Sequence, residues 1–146
     1  MVQRIVHPIE PSDLEDAGVV FATFITLETI TEGDAVYLNA SNFIGRALAS
    51  SSSTMYAVGI AFRGIASGQV GRVVTAGPKR TSNFSFSGFV GSLAYVSAAS
   101  VGALRTTPPG GPSASGNIVQ SMGVMREPTL LNVAVGTPFQ RGGTLL

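Results

Sequence analysis

Thr31-Glu-Gly-Asp-Ala-Val-Tyr-Leu-Asn39 and Phe89-Val-Gly-Ser-Leu-Ala-Tyr-Val-Ser97 read as one stretch written twice. Gly33 matches Gly91, Tyr37 matches Tyr95, Leu38 matches Val96 and Asn39 matches Ser97. Further matches follow in the same order. Gly45-Arg-Ala-Leu48 aligns with Gly102-Ala-Leu-Arg105, Val58-Gly-Ile60 with Met122-Gly-Val124, and Val74-Thr-Ala-Gly77 with Val133-Ala-Val-Gly136. Two units of the same order predict a duplicated β-structure, spanning about residues 30–77 and 89–136.

The strands between the glycine turns carry the expected residue types. Val19 to Ile30 is rich in β-branched and aromatic side chains. Its odd positions, Val19, Phe21, Thr23, Ile25 and Leu27, share one face of a half-buried strand. Thr31 to Asp34 is a turn. Ala35–Asn39, Phe43–Ala49, Met55–Phe62 and Gln69–Ala76 follow as strands, and Gly77-Pro78 closes the first unit. Gly59, in mid-strand, predicts a bulge or a partner packed close against the backbone. Ser50 to Thr54 reads as a plain polar loop, because serines rather than glycines line it. Asn83-Phe-Ser-Phe-Ser87 alternates strictly, which predicts a short half-buried strand. Strands at Gly91–Ser97, Ala103–Thr106, Asn117–Arg126 and Leu130–Val135 build the second unit. Pro108 to Gly116 is a loop set where the first unit has its serine loop.

The fold expected is all-β: a small β-barrel or β-sandwich of roughly eight to ten strands. A single domain, 19–136, lies between two extensions. Residues 1–18 form an arm, with Pro8 and Pro11 keeping it extended and Ser12-Asp-Leu-Glu15 able to cap one helical turn. Residues 137–146, with Pro138, Gly142 and Gly143, form a tail.

Composition narrows the function. Of the 146 residues 45% are hydrophobic and only 12% charged, against an average charged share of roughly 25%. So few charges imply that part of the surface is covered by other subunits. Residues 1–34 hold seven acids and one base, a net −6; residues 35–146 hold eight bases and one acid, a net +7. This asymmetry invites contact between the two parts, within a chain or between neighbours. The interface residues expected from it are Glu10, Asp13, Glu15 and Asp16 on the arm, and Arg63, Arg72, Arg80 and Arg105 on the body. Arginine suits fixed, multi-donor contacts.

Catalytic chemistry is missing from this pattern. There is no cysteine and one histidine, His7, in a proline-flanked arm. The acids near Glu10 lack the alternation and central glycine of a calcium loop. Glu127 is the sole carboxylate after Asp34, so no pair can flank a glycosidic bond. The basic residues are scattered, which argues against nucleic acid. No apolar run reaches the ~20 residues of a membrane helix, and no apolar core marks a signal peptide. Neither an enzyme nor a cofactor or metal site is expected, and the chain is expected to be made in a cytoplasm.

The order Ile30-Thr-Glu-Gly-Asp-Ala-Val-Tyr-Leu38, Met55-Tyr-Ala-Val-Gly-Ile-Ala61 and Val73-Val-Thr-Ala-Gly77, with Gly91-Ser-Leu-Ala-Tyr-Val-Ser97 opening the second half, resembles the small β-rich capsid decoration (cement) proteins of tailed bacteriophages. The likeness covers about residues 30–136 and leaves out both extensions. The second copy lacks the aspartate that follows Gly33. The resemblance implies a β-barrel or sandwich, a homotrimer, and a seat on the major capsid protein at the outer surface of the virion, with no catalysis and no cofactor. Capsid stabilisation by bridging subunits is the function it implies. The chain also looks like receptor-binding or connector modules of phage head and tail fibres. The absence of tryptophan weakens that alternative.

Overall fold

The computed structural model describes residues 18–108, 117–140 and 144–145. The arm residues 1–17, with Glu10, Asp13, Glu15, Asp16 and His7, lie outside the described residues, as does most of the loop after Pro108. Among the described residues twelve strands follow one another: β1 (Val20–Thr26), β2 (Ala35–Leu38), β3 (Phe43–Arg46), β4 (Ala57–Ala61), β5 (Val70–Arg80), β6 (Leu93–Val96), β7 (Leu104–Arg105), β8 (Ile118–Val119), β9 (Ser121–Glu127), β10 (Leu130–Ala134), β11 (Phe139–Gln140) and β12 (Thr144–Leu145). That exceeds the number expected because several are only two residues long. The serine loop holds one 3₁₀ turn, Ser52–Thr54, capped by the Ser51 side chain.

The first five strands close on themselves. They pair in the order β1-β3-β2-β4-β5, and β1 returns to β5 from Ile25↔Val70 to Val20↔Ala76. Only β1–β3 is parallel. The protein is therefore a barrel with added strands, not a sandwich. The period-two alternation of a strand divides its side chains between two cores. Phe24, Val36, Ile44, Ala61 and Val73 belong to one cluster that draws on all five strands, and Ile30 and Ile65 extend it. Their neighbours Ala35, Ile60 and Val74 belong to a second cluster, with Met122, Met125, Leu131 and Val133 from the second unit. The first cluster fills the barrel. The second joins the barrel wall to the other unit.

β5 makes this arrangement possible. It does not end at Gly77-Pro78, as the turn-like dipeptide implies, but runs on to Arg80. At Ala76 it leaves β1 and pairs with β10, from Ala134↔Ala76 to Leu130↔Arg80. The sheet continues β10-β9-β6-β7. Gly77 at φ 106° takes a left-handed backbone at this handover, and a Cβ there would lie 2.6 Å from the Gly18 carbonyl oxygen.

The duplication is visible in the pairing. β2 pairs with β4 through Ala35↔Ile60, Val36↔Gly59 and Tyr37↔Ala57; β6 pairs with β9 through Leu93↔Val124, Ala94↔Gly123 and Tyr95↔Ser121. Both ladders shift register at the same place, just before the tyrosine. Gly33 N donates to Ala61 O as Gly91 N donates to Met125 O. Two other matches need new registers. The loop β2–β3 is two residues shorter than β6–β7, so Asn42 corresponds to Gly102 and Gly45 to Arg105. Both Asn42 (φ 65°) and Gly102 (φ 76°) are left-handed. Ladder partners likewise match Val74 with Asn132, not Val133.

Three local expectations change. On β1 the odd face turns outward at its far end: Thr23, Ile25 and Leu27 are exposed, while Phe24 and Thr26 point to the barrel. Only Phe21 and Val19 of the odd set pack inward, after a register shift at Val20/Phe21. Phe84 and Phe86 are buried and stacked 4.9 Å apart, yet Asn83–Ser87 is not a strand. Its backbone bonds go to turns and to Pro128 O instead. The tail is not free either: β11 pairs with β8 and with β12.

Candidate functional site

Phe62 follows directly on β4 and its amide donates to Arg72 O on β5, at 3.0 Å. This brings together residues far apart in sequence. The Phe21 ring of β1 meets the Phe62 ring edge-on, centroids 4.7 Å apart. Three cations stand over the Phe62 ring: Arg63 Cζ at 4.1 Å, Arg72 Cζ at 4.7 Å and Lys79 Nζ at 4.8 Å. Arg72 also lies 4.9 Å from the Phe21 centroid. The negative face of an aromatic ring attracts such groups.

One carboxylate serves two of them. Glu32 accepts from Lys79 Nζ at 2.5 Å and from Arg63 Nη1 at 3.0 Å. Lys79 is only 3% exposed, and a buried ammonium is costly without such a partner. Arg63 and Arg72 remain exposed at the surface. They edge a groove of about 320 Å³ that runs from Thr23 past Ile65 to Val70. The floor is apolar and the rim basic.

Of the expected interface arginines, the fold brings Arg63 and Arg72 together. Arg80 lies elsewhere, donating to Glu127 at 2.9 Å and to Thr129 at 3.1 Å. Arg105 sits on β7 and reaches Thr107 Oγ1 at 3.2 Å. The acids of the leading segment that are described make contacts within the chain: Glu28 with Arg46, and Glu32 with Arg63 and Lys79. The sequence does not single out Glu32 or the two phenylalanines, and it offers Lys79 only beside Arg80, as a weak hint of nucleic-acid binding. The adjacent Phe62-Arg63 pair was the available signal.

Beside the groove runs an apolar row. Val70, Ile25 and Phe43 are successive cross-strand partners on β5, β1 and β3. All three are exposed, Val70 by 66%. Cross-strand partners share a face, so the row is continuous with Arg72 and Thr23, two residues along. Large exposed side chains in one run mark a contact surface.

The Asp34 carboxyl is displaced upward from its ordinary range. Burial raises its carboxyl, and Glu28 adds to this; the hydrogen bond from Thr31 N and the charge of Arg46 oppose it. It ends the Thr31–Asp34 turn, whose Thr31 amide donates to its Oδ2. Among the described residues no three His, Cys, Asp or Glu side chains converge as metal ligands, and no helix is long and apolar enough to cross a membrane. No protein-family model matches this chain, and no curated protein matches it significantly.

Proposed function

We propose that this chain is a virion structural protein: a homotrimer that binds the major capsid protein on the outer surface of a phage head and stabilises the shell by bridging its subunits. The apolar row Val70–Ile25–Phe43 beside Arg63 and Arg72 carries this reading, because exposed apolar side chains in a run on a small barrel suit a protein partner. The low charge content and the sequence resemblance support it. The row and its arginines contact the capsid, and the acidic arm, with Glu10, Asp13, Glu15 and Asp16, holds a neighbouring basic body.

Immunogold electron microscopy of the source virions tests it. Label spread over the head is the expected result. Label confined to the tail would move the protein to the fibre reading, and unlabelled particles would end both structural readings. Deleting residues 1–18 is expected to weaken capsid binding; unchanged binding and assembly would remove the arm from the mechanism.

A further inference from the structure

Besides the β5–β10 ladder and the shared core, the two units meet through a loop contact whose counterpart the repeat locates. In the first unit Ala35 and Ala47 form a slot. Ala47 N donates to Ala35 O, Ala35 N donates to Gly102 O, and Gly102 N donates to Ala47 O, each at 2.8 Å. The β6–β7 loop of the second unit therefore plugs the slot of the first, and both alanines are 0% exposed.

The ladder equivalences Ala35–Leu93 and Gly45–Arg105 put the corresponding positions of the second unit at Leu93 and Thr107. The slot they mark is open. Leu93 is 42% exposed, Val90 beside it 52%, and Phe89 and Thr107 are exposed too. The corresponding plug is the β2–β3 loop of the first unit, and among the described residues it is also uncovered: Ala40, Ser41 and Asn42 are all exposed. One chain thus carries a used slot and plug, and an unused slot and plug on opposite units.

Side-chain size agrees with a match between the unused pair. A Cβ on Gly102 would lie 2.8 Å from Asp34 Cγ, so the used contact sets glycine against aspartate. In the unused pair the glycine position is Asn42 and the aspartate position is Ser92. The larger plug residue meets the smaller slot residue. The turn before the slot also changes, from Thr31-Glu32 to the apolar Phe89-Val90, as suits a surface that is covered on association.

We propose that the open slot at Leu93 and Thr107 receives the Ala40–Asn42 loop of a second copy of this chain. The contact is heterologous, slot to plug, so it closes into a ring of copies when its rotation permits. Arg105 lies at the rim of this slot. The inference deepens the homotrimer part of the proposed function and is independent of capsid binding; its test contains no particles, so the two fail separately.

Light scattering after gel filtration at high protein concentration reads the outcome. Wild type is expected as a closed oligomer, three copies on the reading above. Val90→Glu/Leu93→Glu spoils the slot, and Ala40→Glu/Ser41→Glu spoils the plug; each is expected to run as a monomer. Every substituted side chain is exposed, and an unchanged circular dichroism melt verifies folding. Mixed in equal amounts, the two variants retain one intact slot–plug pair and are expected to form a one-to-one dimer. A monomeric wild type, variants that stay oligomeric, or monomeric variants that do not combine would each overturn the proposal.

Discussion

Gln120 is buried, and its side-chain amide behaves like a peptide group. Ala57 N donates to its Oε1 at 2.8 Å, and its Nε2 donates to Ala57 O at 2.9 Å and to Gly136 O at 3.2 Å. Two bonds exchanged with one residue is what an antiparallel partner provides. Gln120→Leu keeps the volume and removes all three bonds. It should cost about 3 kcal/mol, since buried groups left unsatisfied are expensive; a shift of the urea midpoint at constant slope measures it. Asp34 gives a pH prediction. Its folded carboxyl is raised, so its contribution to stability is fully present below the ordinary value of 3.8 and is lost as pH rises through the raised value. Asp34→Asn should therefore be more stable than wild type at neutral pH. That advantage should shrink to nothing as the pH falls below 3.8, in thermal melts across the range. Neither residue's burial is legible in sequence, because the groups that cover it come from chain distant in number, Ala57 for Gln120 and Gly102 for Asp34.

At the scale of the element, two glycines explain why both units use the same strand pair. A Cβ on Gly59 would lie 2.4 Å from Val74 O, and one on Gly123 would lie 2.0 Å from Asn132 O. Those oxygens are backbone, so the neighbouring strand must move. Gly123 also has φ 140°. Gly59→Ala should cost about 1–3 kcal/mol as an overpacked site. Gly123→Ala should cost more, by about 1 kcal/mol or above, for the added backbone strain. Differential scanning calorimetry of the two variants would show the order, and the reverse order would refute the argument. The close approach at Gly59 was legible in sequence because a mid-strand glycine has few other uses. The outward turn of Ile25 on β1 was not. Alternation shows that two faces exist, but which one meets a core depends on what lies against it. The same limit applies to Phe84 and Phe86, whose burial the alternation predicts although their backbone joins no ladder.

At the scale of the molecule, the chain is two copies of one strand pattern joined by a strand they share. The first copy gains β1, and with it a closed barrel; among the described residues the second has no such strand, and its part of the sheet ends at β7. This asymmetry leaves the slot at Leu93 and the plug at Asn42 unmatched within a single chain. Of the candidate surface, the low charge and the arginines were visible in sequence. The gathering of Arg63, Arg72 and Lys79 on Phe62 was not, since closure of β1 onto β5 is what brings Phe21, Phe62 and Arg72 to one place.

The sequence by itself determined that the protein is all-β, that it is duplicated, and where most turns fall. These follow from local physics: strand alternation, β-branched content and glycine in turns act over a few residues. The tertiary structure alone decided barrel against sandwich, the path of β5 past Gly77-Pro78, the two shifted registers of the repeat, and which apolar residues face outward. Each depends on a pairing between residues far apart in the chain, where several registers satisfy the same local pattern and only packing of the whole selects one.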